Sequence, residues 1–106
     1  MNSRIVIVGY KPKPGKESEL KTLALDHHSR LKAEDLVTDR SPILMQSQDG
    51  TIIEVFEWKS PEAIQQAHTN KAVGQMWQEF SQVCEYVPIG QIAESSNLFA
   101  DYSSIL

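Results

Sequence analysis

Residues 51–70 read TIIEVFEWKSPEAIQQAHTN, and this stretch decides the fold. Successive residues of a strand point to opposite sides. Residues 51–58 therefore put Ile52, Phe56 and Trp58 on one side with Glu54 among them. Ile53 and Val55 fall on the other side, with Glu57 at the end. A strand apolar on both faces needs cover on both, unlike the hydrophobic-in, polar-out pattern of a sheet with one wet face. Ser60 then offers an N-cap, Pro61 suits the first helical position, and Glu62 favours the positive end of the helix dipole. The short helix that follows groups Ile64, Ala67 and His68 on one side, and Thr69-Asn70 marks a break and a new cap.

Working outward, Asp49-Gly50 is expected to supply the two positive-φ residues of a type I′ turn, joining this strand to a more polar one over residues 43–48. A β-branched run over residues 4–10 (RIVIVGY) predicts the first strand, and KPKPG separates it from a helix over residues 16–35. That helix repeats Leu20, Leu23, Ala24, His27 and Leu31 at three- and four-residue spacing. A second long helix carries Val73, Met76, Trp77, Phe80, Val83 and Cys84. Residues 86–92 (YVPIGQI) read as the fourth strand, with Pro88 setting it near an edge or bulge. The order β-α-β-β-α-β predicts an α+β, ferredoxin-like antiparallel sheet with helices on one face. Two helices cover one face only, so a second copy, packed sheet to sheet, is expected on the other.

Residues 1–92 make the expected domain. The tail, residues 93–106, sets Leu98, Phe99, Tyr102, Ile105 and Leu106 on a helical stripe. It should dock across the dimer or close the sheet edge of its own subunit. A net charge of −4 argues against a nucleic-acid partner, and the lysines at 11, 13, 16 and 21 are interleaved with Glu17 and Glu19. The single cysteine, Cys84, excludes an internal disulfide or a thiolate metal cluster. No apolar run reaches the roughly 18 residues of a membrane span, and MNSRIVIVGYK lacks a signal-peptide layout. A cytoplasmic protein with no membrane partner is the expectation.

The strand ending Phe56-Glu57-Trp58, the run Ser60-Pro61-Glu62-Ala63, the pair Ala67-His68 and the aromatic helix through Trp77 and Phe80 carry a resemblance. In this order of elements they resemble the antibiotic biosynthesis monooxygenase family over about residues 4–92. The resemblance implies a dimeric α/β barrel, two ferredoxin-like subunits joined through their sheets. Characterised members include cofactor-free oxygenases of phenols and quinols, haem-degrading oxygenases, and enzymes acting on small hydroxy-ketones. The haem-degrading branch uses an Asn, a Trp and a His where this chain has Val8, Ala67 and Trp77, so haem degradation is not expected. His68 stands where other members carry a histidine facing the pocket.

His68 is expected to face the sheet as a general base, an imidazole being the usual group for removing a phenolic proton near neutrality. Its structural alternative is a helix-end histidine bonded to a carbonyl or to the Asn70 side chain. His27 is a candidate pocket-lining group or a satisfied core histidine; His28 is turned about 100° from it. Trp58 and Trp77 are candidate walls for a flat ligand, with Phe56 and Asn70 completing the substrate-binding set. Glu54 must pair, and Arg4 or Arg40 is the expected partner. No metal site and no cofactor is expected. The functional expectation is a cofactor-independent monooxygenase of a small phenolic or quinol-type molecule. A non-catalytic dimeric barrel binding a small apolar or aromatic ligand is the alternative, its pocket closed by Met45, Phe56 and Trp77. A hydroxy-ketone isomerase is third.

Overall fold

A computed structural model describes residues 2–106. The chain runs β1 (Arg4–Pro12), α1 (Glu17–Ala33), β2 (Ile43–Gln46), β3 (Ile52–Trp58), α2 (Pro61–Ala67), α3 (Lys71–Val83), β4 (Cys84–Val87) and β5 (Ser103–Ser104), with short 3₁₀ turns at Ile89–Gln91 and Ala93–Ser96. The strands form one sheet in the order β4-β1-β3-β2-β5, every neighbouring pair antiparallel. The β-α-β-β-α-β order holds, with a fifth strand added from the tail.

The caps form where the residue types require them. Ser60 Oγ accepts the Ala63 N–H at 3.0 Å, and Asn70 Oδ1 accepts the Val73 N–H at 3.0 Å. The two helical stripes pack on one sheet face. Leu20, Ala24, His27 and Leu31 of α1 and Val73, Met76, Phe80 and Val83 of α3 are buried there. Val6, Val8 and Tyr10 of β1 lie on this inner face, opposite Phe56, Glu54 and Ile52 of β3.

The outer face is divided. Ile5, Ile7 and Ile43 remain 57%, 52% and 57% exposed, whereas Ile53 is sealed. Gly9 pairs with Ile53, and Ile92, just after the Ile89–Gln91 turn, reaches over Gly9. The chain therefore covers the Gly9–Ile53 end of its own outer face and leaves the Ile5–Ile7–Ile43 end open.

Several local expectations differ from the structure. The hairpin is not a type I′ turn. Only Gly50 has a positive φ, +94°, and its N–H bonds back to the Ser47 carbonyl at 3.1 Å. Asp49 stays in the ordinary region, and its Oδ1 accepts the Thr51 N–H at 2.9 Å, capping the loop with no left-handed residue at position 49. The fourth strand starts at Cys84 and stops at Val87. Pro88 has no N–H for a ladder, and the chain turns there into 3₁₀ geometry. Residues 97–106 form no helix. Ser103 and Ser104 pair with Gln46 and Met45, and the Ile105 N–H bonds the Leu44 carbonyl, so the tail adds a strand at the β2 edge. This pairing gives partners to β2 edge groups that would otherwise face solvent.

Gly9 is where β1, β4 and Ile92 meet. A Cβ there would stand 2.7 Å from the Val87 carbonyl oxygen and 2.9 Å from Val87 Cγ2. Val87 is its ladder partner, so relief requires opening the β1–β4 edge. Gly9→Ala is expected to cost about 1–3 kcal/mol, read as a lower midpoint in urea unfolding with an unchanged slope.

Glu57 carries a pH prediction. Hydrogen bonds from Ser3, Thr38 and Arg40 hold its carboxyl down to about 2, from an ordinary 4.5. A carboxyl lowered by folding stabilises fully above its unfolded value, and that contribution is lost as the pH falls through the folded one. Glu57→Gln should therefore flatten the decline of the thermal midpoint between pH 4.5 and pH 2, while melts recorded at several pH values above this window keep a constant offset from wild type.

Candidate functional site

A cavity of about 340 Å³ opens between the helices and the inner sheet face. It is lined by Val6, Val8, Tyr10, His27, Phe56, Trp58, Trp77 and Tyr86, and its size is at the small end for organic ligands. β1 supplies the floor through the alternation that turns Val6, Val8 and Tyr10 inward. β3 adds Phe56 and Trp58, α1 adds His27, and α3 adds Trp77. Both tryptophans of the chain are therefore wall residues.

Behind the wall stands a fully buried carboxylate. Glu54 is 0% exposed. Its Oε1 accepts the Tyr10 hydroxyl at 2.7 Å and faces His27 Nδ1 at 2.7 Å. Its Oε2 has no hydrogen-bond partner among the described residues. An unpaired carboxylate in this position would be costly, and two donors from opposite sides of the core offset that cost. The expected partners do not take part: Arg40 Nε bonds Glu57 Oε1 at 3.0 Å on the outer face, and Arg4 is exposed at the start of β1. Arg40 is on the opposite side of the sheet from the inward Glu54, and Arg4 pairs with Trp58 at the far end of the strand, four residues from Val8, the residue opposite Glu54.

Rings enclose the His27 imidazole. Phe56 and Phe80 each approach it with centroids 5.3 Å away, at 90° and 74°, and Tyr10 packs on Phe80 at 5.0 Å. Since a carboxylate only accepts, Nδ1 carries the proton toward Glu54. Nε2 makes no hydrogen bond among the described residues, yet it is not sealed in the core, and the ring lines the cavity. A carboxylate holding one imidazole nitrogen leaves the other with a lone pair, the arrangement of a general base. Burial, followed by the neighbouring Glu54 charge, pushes the Tyr10 hydroxyl well above its ordinary range, so it remains a donor. Burial pushes the Tyr86 hydroxyl, at the cavity wall, up to about 12.

His68 is placed elsewhere. α2 ends at Ala67, and His68, its C-cap, is exposed rather than facing the sheet. Its Nδ1–H donates to the Ile64 carbonyl at 2.8 Å, the bond that sequence reasoning held as its structural alternative. The ring meets the edge of Trp77 at 5.5 Å, outside the cavity lining. Asn70 is occupied as the α3 cap and by a bond from its Nδ2 to Glu34 Oε1 at 3.0 Å, and it does not line the cavity. Met45 pairs with Ile53 on the outer face and so cannot close the pocket. Glu54 was visible in the sequence as a carboxylate on an apolar strand face, and Tyr10 only as the tyrosine ending the first-strand run. Their pairing across 44 residues had no sequence signal. Among the described residues, no group of three His, Cys, Asp or Glu side chains is arranged to hold a metal ion. None of the helices described is long and apolar enough to cross a membrane.

Solved structures share this architecture. SnoaB, a cofactor-independent oxygenase from Streptomyces nogalater, matches with a TM-score of 0.67 over 82% of this chain and 88% of its own, at 8% identity. Rv0793 from Mycobacterium tuberculosis matches with a TM-score of 0.65 over 81% and 89%, at 20% identity. The chain shares the ferredoxin-like α+β fold of these two proteins. At these identities the likeness is one of fold, and this fold is what brings α1, α3 and the inner sheet face around one cavity. No protein-family model and no curated protein matches the sequence.

Proposed function

We propose that the protein is a cofactor-independent oxygenase of a small phenolic or quinol-type molecule, with His27 as its base. The observation that carries this reading is the free Nε2 of His27 at an apolar cavity while Nδ1 is held by the buried Glu54. The likeness of fold to a cofactor-independent oxygenase supports it. His27 takes the hydroxyl proton, and the resulting phenolate is electron-rich enough to reduce O₂ directly. For a phenol with an open para carbon the balance is phenol plus O₂ giving para-quinone plus water. One oxygen atom replaces the ring hydrogen and becomes the second carbonyl, the other leaves as water, and the ring supplies all four electrons. His27 returns its proton to the departing oxygen. Fixed dipoles around the anion keep its charge tolerable in a dry site.

Oxygen uptake by the protein with one- to three-ring phenols and quinols tests this reading. Uptake matched by quinone formation is expected. Binding of the panel without uptake would overturn the oxygenase reading in favour of a ligand-binding barrel.

The proposal includes a homodimer through the open part of the outer face. Ile5, Ile7 and Ile43 form an exposed apolar row there, of the kind that a second copy would cover. Ile7→Glu is expected to give a folded monomer by sedimentation velocity where the wild type sediments as a dimer.

A further inference from the structure

Resting on that reading of the site, we propose that Glu54, oriented by Tyr10, locks His27 as the Nδ1–H tautomer, so that the cavity accepts a hydrogen bond at His27 and selects the hydroxyl form of an aromatic ligand over its quinone.

Hydrogen-bond polarity sets what the cavity accepts. Glu54 Oε1 receives both the Tyr10 hydroxyl and His27 Nδ1–H at 2.7 Å. The Tyr10 proton is committed to the carboxylate, so Tyr10 cannot turn its donor to a ligand although its ring lines the cavity. With Nδ1 as donor, Nε2 of the neutral ring is an acceptor. A phenol or quinol presents an O–H to it. A quinone presents only lone pairs, and the two acceptors face each other unsatisfied. Removing one partner from a buried hydrogen bond in this way costs more than the bond itself is worth. The Tyr86 hydroxyl and the indole N–H groups of Trp58 and Trp77 are also donors on the wall and can serve a second oxygen of either ligand form. The discrimination therefore resides at His27. For an enzyme that turns a phenol into a quinone, the same polarity favours substrate entry and product release.

The histidines themselves supply a readout that needs no substrate. Long-range ¹H–¹⁵N correlation spectra of the ¹⁵N-labelled protein distinguish Nδ1–H from Nε2–H rings. His27 is expected as Nδ1–H. His28, whose Nε2–H donates to the Thr38 carbonyl at 3.1 Å, is expected as Nε2–H and provides the internal contrast. An Nε2–H signature for His27 would overturn the proposal.

Calorimetric titration under nitrogen then compares 1-naphthol, 1-methoxynaphthalene and 1,4-naphthoquinone, whose apolar surfaces are similar. The naphthol should bind on the order of tenfold tighter than either acceptor-only probe. Cys84 does not consume the quinone, because burial seals its thiol and pushes it up to about 11. In Glu54→Leu the tautomer lock is gone, and the ratio should fall toward one; a merely structural role would weaken all three probes alike. Equal affinities in the wild type, no binding by any probe, or an unchanged ratio in the folded variant would each overturn the proposal. If Glu54→Leu does not fold, the wild-type spectrum and affinity ratio still decide. Because no oxygen is present, these results stand apart from success or failure of the oxygenase reading.

Discussion

Replacing His27 with alanine is expected to slow oxygen uptake on the order of 10²–10⁴-fold, the usual worth of a positioned general base, whereas His68→Ala should stay within about twofold of wild type, as a surface change away from the site would. The contrast follows from position. His27 is 4% exposed, in the cavity wall, with its Nδ1 held by Glu54. His68 is exposed, with its own Nδ1–H tied to the Ile64 carbonyl. Alanine at 27 also strips Glu54 of a donor, so lost activity could be confused with lost structure. His27→Gln separates the two. Its side-chain amide can still donate toward Glu54, but it has no basic nitrogen to take a proton. A loss of similar size in both variants, with melting curves close to wild type for His27→Gln, assigns the effect to proton transfer. Full activity in His27→Gln would remove His27 from the mechanism. A large loss in His68→Ala would return the chemistry to the helix-end histidine.

Phe80→Ala is expected to destabilise the protein by about 3–5 kcal/mol. Phe80 is 1% exposed and stands at the crossing of α3 with β1 and α1. Its ring lies 5.0 Å from Tyr10 and 5.3 Å from His27, and it backs the two side chains that hold Glu54. Removing it deletes the transfer energy of the ring and leaves a void under a hydrogen-bonded cluster that cannot collapse without misaligning its donors. Phe80→Leu, which refills most of the volume, should recover more than half of the loss. Denaturant unfolding of the three proteins checks this, and a cost below about 1 kcal/mol for the alanine would mean that the core closes over the gap.

The legible part of this protein was local or periodic. The α1 and α3 stripes, the caps at Ser60 and Asn70, and the two apolar faces of β3 each follow from residue spacing within one element, and each is present in the structure. The sheet order followed from the same patterns, because a β-α-β-β-α-β chain with one helical layer has few ways to pair its strands. The cavity walls Phe56, Trp58 and Trp77 were legible as well, since alternation and helical period alone turn them toward the sheet–helix interface.

Three matters were decided only in three dimensions. Which histidine serves the cavity depended on where α2 ends: its last turn closes at Ala67, and His68 leaves the helix toward solvent. The tail's place depended on backbone pairing with β2, which no side-chain stripe encodes. The partners of Glu54 come from β1 and α1, 44 and 27 residues away, and become neighbours only when the sheet and helix close on each other. The sequence by itself determined which faces had to be buried, because hydrophobic periodicity is written residue by residue. The tertiary structure alone decided which polar groups share the buried space, because a hydrogen bond requires two distant groups to arrive within about 3 Å of each other.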